Sequence, residues 1–424
     1  MIASRALFRL RLFLALSFAV LVTCAGAQTV DGNSLVKQEV LDQISETLSQ
    51  SAFVPGIDFS KWPQFMAEQK AALDAAKNDE EFRTAVNAAL HKFGASHVVL
   101  LTPKSSQARR TGATVGVGLS IQVIPEGFAV VRVVKDGPAE KAGITLGDIV
   151  VEVDGNPVTP STTLSGDEGS DVAVKIKHSD GKFDLYKLTR QRYSTIRLPE
   201  LTWIGDDTAQ LKIYSFEAGY DRKMVSDLIK EALRAKNLIL DLRFNGGGAV
   251  SNLQHLLGML VPDGRPVGTF IRRSTVSAYI DSTGEDGTNL AAIADWSESK
   301  FRPKRLGDAP LFTGHLAVLI NRFSGSASEI AAAALHDVMA APVIGTKSAG
   351  AVLASVIDPV SNGFTLQYPI EDYVTIKGIR LEGVGVLPDT AAQDVNLRLP
   401  NAKDDAVEKA LVYFAQVKVL SYGQ

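Results

Sequence analysis

The chain has 424 residues with 44 basic and 47 acidic side chains, a formal net charge of −3. At roughly 150 residues per domain this length suggests two to three domains, and a composition of 46% hydrophobic and 21% charged residues excludes wholesale disorder. The absence of a basic excess gives no pointer to nucleic acid or to an anionic membrane surface, and the single cysteine, Cys24, excludes a disulfide framework and a multi-cysteine zinc site.

Residues 1–27 read as a secretory signal. Arg5, Arg9 and Arg11 form a positive start, Leu12 to Cys24 is apolar apart from Ser17 and Thr23, and Ala25-Gly26-Ala27 supplies the small residues a signal peptidase needs. The apolar run falls short of the ~20 residues of a membrane-spanning helix. The expectation is cleavage after Ala27, no stable membrane anchor afterwards, and a periplasmic or secreted product beginning at Gln28.

Residues 28–111 are expected to be a helical N-terminal region. Val36, Val40, Ile44 and Leu48 recur at helical spacing, as do Phe82, Val86, Ala89 and Leu90. Lys104 to Thr111 reads as a polar, basic linker. Residues 112–192 change to short β-branched runs, Val130–Val134, Ile149–Val153 and Val172–Ile176, with turn signals at Asp154-Gly155 and Asp180-Gly181. Pro138 to Ala142 reads as a short helix closed by Gly143. Thr159 to Ser170 is too short and polar to promise a long helix.

Residues 193–398 alternate strands and helices, which argues an α/β layer with parallel pairing. Predicted strands are Thr208–Ile213, Leu238–Leu242 and His315–Asn321. Predicted helices are Asp221–Ala235, with Met224, Leu228 and Leu233 on its apolar side, and an Ala-rich helix over 327–340. Residues 399–424 carry a last amphipathic helix, over 403–416. There is no internal repeat.

Two loops could carry chemistry. Asn321 to Glu329 joins a buried strand to a helix, so its serines lie at a helix N-terminus, where free N–H groups and the dipole stabilise negative charge. Ser326 and Glu329 also fit a plain capping box. Asp241 to Gly248 ends another buried strand in three glycines, which let backbone N–H groups approach a ligand; no Gly-Lys-Ser/Thr follows to make a phosphate loop. Of the six histidines, spacing selects none, and no zinc-binding pattern appears.

Together these segments resemble the carboxy-terminal processing (tail-specific) family of serine peptidases. The similarity lies in Asp241–Gly248, in Ser326-Ala327-Ser328-Glu329, and in Glu382–Asp389 with its G-x-x-P-D ending. The β-rich module resembles a PDZ domain, with Gly116, Val117, Gly118 and Leu119 like the loop that holds a peptide carboxylate, and Gly137–Ile144 through Gly147-Asp148 like the family's signature there. The fold this implies is α/β: a crotonase-like (β-β-α superhelix) protease core with a PDZ domain over 112–192 and a helical N-terminal region. The partners implied are protein or peptide substrates with a free C-terminus or an unfolded segment; no cofactor, metal or nucleic acid is implied, and the oligomeric state is open.

The resemblance breaks at the base. The family's nucleophile falls on Ser326, but its lysine, about 25 residues later, falls on Ala351; Lys347 lies four residues earlier. Tricorn-like members of the superfamily use a histidine, from a Ser-His pair ahead of the PDZ module, together with a distant glutamate. Ser96-His97 and Glu382 match those positions. The implied roles are Ser326 as nucleophile, His97 as base, Glu382 as orienter either through Ser96 or on the imidazole itself, and N–H groups of Ala327 and of Gly246 or Gly247 as the oxyanion hole. The alternative is a peptide-binding relative that has lost turnover.

Overall fold

The computed structural model describes residues 32–159, 162–307, 309–394 and 403–422. The expected signal segment, with Cys24, lies outside these residues. None of the helices among the described residues is long and apolar enough to cross a membrane.

The chain enters through helix α1 (Gly32–Gln50) and, after short helical turns, α2 (Asp79–Leu90). Most of the predicted stripes are buried: Val40, Ile44 and Leu48 on the first, whose Val36 is half-buried, and Phe82, Val86, Ala89 and Leu90 on the second. Asn78 caps α2, its side chain accepting the Glu81 N–H at 2.9 Å. Strand β1 (Val99–Leu101) follows. The expected linker is instead helix α3 (Pro103–Thr111). Its signals were present: Thr102 accepts the Ser105 N–H as N-cap, Pro103 has no N–H to leave without an acceptor in the first turn, and Gly112 closes the helix at φ 59°.

The β-rich module holds β2 (Ala113–Gly116), β3 (Leu119–Ile124), β4 (Gly127–Val133), β5 (Ile149–Val153), β6 (Asp171–Lys177), β7 (Phe183–Thr189) and β8 (Gln191–Ser194). Its sheet runs β3-β4-β5-β6-β7, with β2 paired to β8 at the neck. Phe128, Val130, Val150, Val174 and Ile176 fill its core. Both predicted turns form, with Gly155 at φ 77° and Gly181 at φ 84°. Among the described residues of 158–170 there is no helix.

The second sheet is built from β9 (Glu200–Ile204), β10 (Thr208–Lys212), β11 (Asn237–Asp241), β13 (His315–Ile320), β14 (Val343–Gly345) and β17 (Thr390–Ala391); β12 (Gly268–Arg272), β15 (Ala354–Pro359) and β16 (Thr365–Thr375) belong to another sheet. The order is β9-β10-β11-β13-β14-β17, parallel from β10 onward. Period-2 alternation gives this sheet two apolar faces. Leu238, Leu240, Leu316, Val318 and Ile320 face a core covered by helices α4 (Arg222–Ala232), α5 (Val250–Leu257) and α6 (Ala327–Met339). Ile239, Ala317 and Leu319 face Ala406, Ala410 and Phe414 of the C-terminal helix α7 (Asp405–Tyr422). On α4 the buried residues are Val225, Ile229 and Ala232, with Met224 and Leu228 only partly covered. Leu233, expected inside, is the C-cap and is 45% exposed, because the helix ends there and the chain turns away.

The third sheet joins the two ends of the molecule. β16 is its centre, pairing with β12, β15 and β1, all antiparallel. The N-terminal region thus contributes a strand to the sheet beside the cleft. Leu100 of β1 packs with Leu366 and Tyr368 of β16 and with α1 and α2.

Candidate active site

β13 ends in a turn that leads into α6, and Ser326 occupies the N-cap at φ 55°, ψ −117°. A strained conformation of this kind lifts a side chain off a strand-to-helix turn, and it persists only where the surroundings over-determine it. Here they do. The Ser326 N–H meets the Ala351 carbonyl at 2.8 Å and the Glu329 carboxylate at 2.9 Å. The Gly325 N–H donates to the Asn245 carbonyl at 3.0 Å, and the Ser324 hydroxyl donates to the Leu242 carbonyl at 2.9 Å. Glu329 is fully buried and also accepts from Ser348 Oγ (2.6 Å), Gly350 N (2.7 Å) and Ala351 N (3.0 Å). Burial pushes its pKa up, against the pull of these donors.

The glycine loop lies against this turn. A Cβ on Gly247, at φ 100°, would fall 2.6 Å from Ser326 Cβ and 3.0 Å from Ala327 N. The Gly247 N–H is already given to Asn245 Oδ1 at 2.9 Å. Gly246 is exposed, with nothing within 4 Å of where its Cβ would be. Ala327 is the first residue of α6, so its N–H has no acceptor within the helix.

His97 comes from the opposite end of the chain. The helical turn His91–Phe93 is closed by Gly94 at φ 68°, and His97 itself sits at φ 59° before β1 enters its register, Val99 opposite Gln367. Ser96 Oγ is 2.7 Å from His97 Nδ1 and donates to Glu382 Oε2 at 2.9 Å; the Ser96 N–H donates to Glu382 Oε1 at 2.8 Å. Of the two contacts left open for Glu382, the structure shows the one to Ser96. It also assigns the tautomer. The single hydroxyl proton of Ser96 goes to the carboxylate, so Oγ accepts from Nδ1–H, and neutral His97 carries its lone pair on Nε2. Burial lowers the His97 pKa most, the Glu382 charge raises it and the Arg109 charge lowers it, with a net shift below the ordinary 6.5.

His97, Ser326, Gly246 and Gly247 line one cleft of about 400 Å³. Among the described residues no hydrogen bond joins His97 to Ser326; the imidazole bond is the one to Ser96. Ser96 and Glu382 stand behind His97, and Ala327 starts the helix behind Ser326. Lys347 is exposed and does not line the cleft. The remaining histidines do not line it either: His178 bonds Asp148 and Tyr186, His255 bonds Tyr220 and Ser226, His336 bonds Asp337, and His91 and His315 are exposed.

The cleft contains residues that sequence reasoning missed. Arg109 of α3 is clasped by Glu217 and donates to Gln367 Oε1 at 2.9 Å. All three line the cleft. Reading Lys104–Thr111 as a linker hid Arg109; the Thr102 cap and Gly112 were the signals that would have placed it on a helix. The loop Gly116–Leu119 does not line the cleft. It sits at the edge of the β-rich module, where the Val117 and Gly118 carbonyls accept the Ala139 (3.0 Å) and Val134 (2.9 Å) N–H groups and Gly118 adopts φ 79°.

The profile of Peptidase family S41 matches residues 207–392, which includes the glycine loop, Ser326 and Glu382, and a PDZ domain profile matches residues 130–177. Residues 207–392 thus belong to peptidase family S41. The chain is 31% identical over 319 residues to the chloroplastic carboxyl-terminal-processing peptidase 2 of Arabidopsis thaliana, covering 68% of this chain and 55% of that one. It thus spans about half the length of that relative. To the carboxyl-terminal-processing protease of a Synechocystis strain it is 25% identical over 434 residues, covering 96% of this chain and 90% of that one. Its fold is similar to that of mature CPAF, solved in complex with lactacystin, with a TM-score of 0.55 at 17% identity, covering 92% of this chain and 99% of the other.

Proposed function

We propose that this chain is an exported serine endopeptidase that cleaves unfolded proteins or proteins presenting a free C-terminus, with Ser326 as nucleophile and His97 as base. The observation that carries the reading is the Glu382–Ser96–His97 relay beside the Ser326 cleft, in a chain that has Ala351 where the family's lysine would stand.

The chemistry is set by the tautomer. Nε2 of His97 takes the proton of Ser326 as Oγ attacks the scissile carbonyl. The imidazolium that forms is stabilised through Ser96 by the Glu382 carboxylate, whose other contacts are N–H donors of Ser96 and Val352. The developing oxyanion is held by N–H groups of Ala327 and Gly246, each worth about 3 kcal/mol in the transition state; Gly247 serves by leaving the space empty. His97 then protonates the leaving amine, and water repeats the sequence on the acyl-enzyme. Substrate binding draws Ser326 and His97 into hydrogen-bonding reach, since such bonds are commonly loose without ligand.

Two one-sided strands support an extended peptide as substrate. β15 pairs only with β16 among the described strands, and its Ala354, Ser355 and Ile357 line the cleft. β3 is an outer strand of the PDZ sheet and begins at Leu119, the last residue of Gly116–Leu119, the loop we assign to the peptide carboxylate. In this reading the sheets and helices around the cleft form a crotonase-like core, and residues 1–27 export the chain.

The test is cleavage of casein by the chain beginning at Gln28, beside Ser326→Ala and His97→Ala. Cleavage by the parent alone is the expected result. Full activity in His97→Ala would overturn the assignment of the base and turn attention to Lys347. No cleavage by the parent would favour the peptide-binding relative.

A further inference from the structure

Arg243 is 4% exposed and uses two faces of its guanidinium. Nε and Nη2 donate to Asp241 at 2.9 and 2.6 Å, the second carboxylate oxygen also accepting from Gln210 Nε2 at 2.9 Å. Nη1 and Nη2 donate to Asp404 at 2.8 and 2.7 Å. Asp241 is the last residue of β11, and Arg243 is part of the glycine loop. Asp404 comes from elsewhere. It precedes α7, lies outside the residues 207–392 matched by the peptidase profile, and its carboxylate also receives the Val407 N–H in the first turn of that helix. Burial works against its ionised form, but the bonds and charge of Arg243 outweigh it and hold the Asp404 carboxyl below the ordinary range.

The backbone just beyond Arg243 is conformationally expensive. Phe244 takes φ 63°, a region a bulky side chain enters at a cost. The strain is held from both sides: by the Phe244 N–H on Asn321 Oδ1 (3.1 Å), and by Arg243, whose own N–H caps Asp241 (3.1 Å). Directly after Phe244 come Asn245, whose carbonyl receives the nucleophile turn, and Gly246, at the cleft. Removing Asp404 would leave a buried guanidinium with one face unpaired, and the cheapest relief is for the loop to shift.

We propose that Asp404 is a positioning residue: the C-terminal helix holds Arg243, and through it fixes the glycine loop so that the Gly246 N–H points at the developing oxyanion. The inference rests on the function proposed above, and its test separates the two. In the chain beginning at Gln28, Asp404→Asn is compared with Phe414→Ala, which loosens α7 on the sheet without touching Arg243. For Asp404→Asn the expected result is a fall in kcat of about ten- to a hundredfold with KM held within about twofold, an equal fall in affinity for a peptide aldehyde, and faster amide exchange confined to residues 244–248. Phe414→Ala lowers Tm and leaves kcat per titrated active site intact. If Asp404→Asn does not fold, Asp404→Glu, which keeps the charge and displaces it, is read the same way. Unchanged exchange at 244–248, or losses matching those of Phe414→Ala, would overturn the positioning role. Should the parent lack peptidase activity, the function fails while the exchange measurement still decides whether Asp404 fixes the loop.

Discussion

Ser326 sits in a turn tied by backbone and side-chain bonds to two neighbouring loops of one α/β core, whereas His97 sits just ahead of a three-residue strand from the N-terminal region. Nearly everything that shapes the Ser326 turn lies within the peptidase profile, from the Leu242 carbonyl to the Glu329 cradle. The histidine depends on docking. β1 has β16 on one side, and on the other the buried side chain of Asn87, which accepts the Leu100 N–H at 2.7 Å and donates to the Leu100 carbonyl at 3.0 Å. In the proposed mechanism a rigid nucleophile and a docked base make a site that one part of the chain cannot complete alone. Perturbing the two halves should therefore have different consequences.

The largest effect should come from the rigid half. Gly247→Ala places a methyl group 2.6 Å from Ser326 Cβ at a backbone angle that favours glycine. With the oxyanion space filled, kcat/KM should fall on the order of 10³-fold. Turnover of a peptide ester with active-site titration measures this; a fall of less than about tenfold would show that the loop gives way and that the turn is less rigid than its bonds imply.

Next comes the link between the halves. Glu382→Gln removes the charge that favours imidazolium and leaves a side chain that can donate to Ser96 Oγ and reverse the relay. The expected loss is about 10²-fold in kcat. Because the Glu382 charge raises the His97 pKa, its removal lowers that pKa further, so the acid limb of the residual activity should move to lower pH. A residual activity with an unmoved limb would separate Glu382 from His97.

The docked half should fail more gently. Asn87→Ala strips both backbone groups of Leu100 of their partner on that side. The cost should be about 1–3 kcal/mol of stability, seen as a lower Tm, with a several-fold loss of activity that recovers on cooling. Activity lost at every temperature with an unchanged Tm would mean that Asn87 acts in some way other than docking.

This division also explains what could be read from the sequence. The strands read at Leu238–Leu242 and His315–Asn321 are continuous apolar runs because both faces of the sheet are covered, and the Ser326 turn carries its Ser and Glu within four residues. Those signals are local. Ser96 and Glu382 are 286 residues apart in sequence, and only the β1–β16 pairing and the loop after β16 unite them. Resemblance could name the pair, but spacing could not. It also left open whether Glu382 acts on Ser96 or on the ring, which depends on how two loops dock. Arg109 and Asp404 were hidden for a related reason. Each is an ordinary charged residue beside an amphipathic or basic segment until the fold gives it a partner.

The smallest effect is the most specific to the cleft. Arg109 lowers the His97 pKa, since a cation disfavours a second cation nearby. Arg109→Gln should therefore raise that pKa, and the freed carboxylate of Glu217 in the same cleft pushes the same way. As the proposed base, His97 acts only when neutral, so activity falls as pH drops through its pKa. The acid limb of kcat/KM should then move to higher pH, by under about one unit, with little change on the plateau. The shift is opposite in sign to that of Glu382→Gln, although both variants remove a charge near the same ring. Measured together across pH 5 to 8 at low and high salt, the two variants test whether one imidazole governs the profile. Limbs displaced in the same direction would assign the titration to another group and leave His97 without its role.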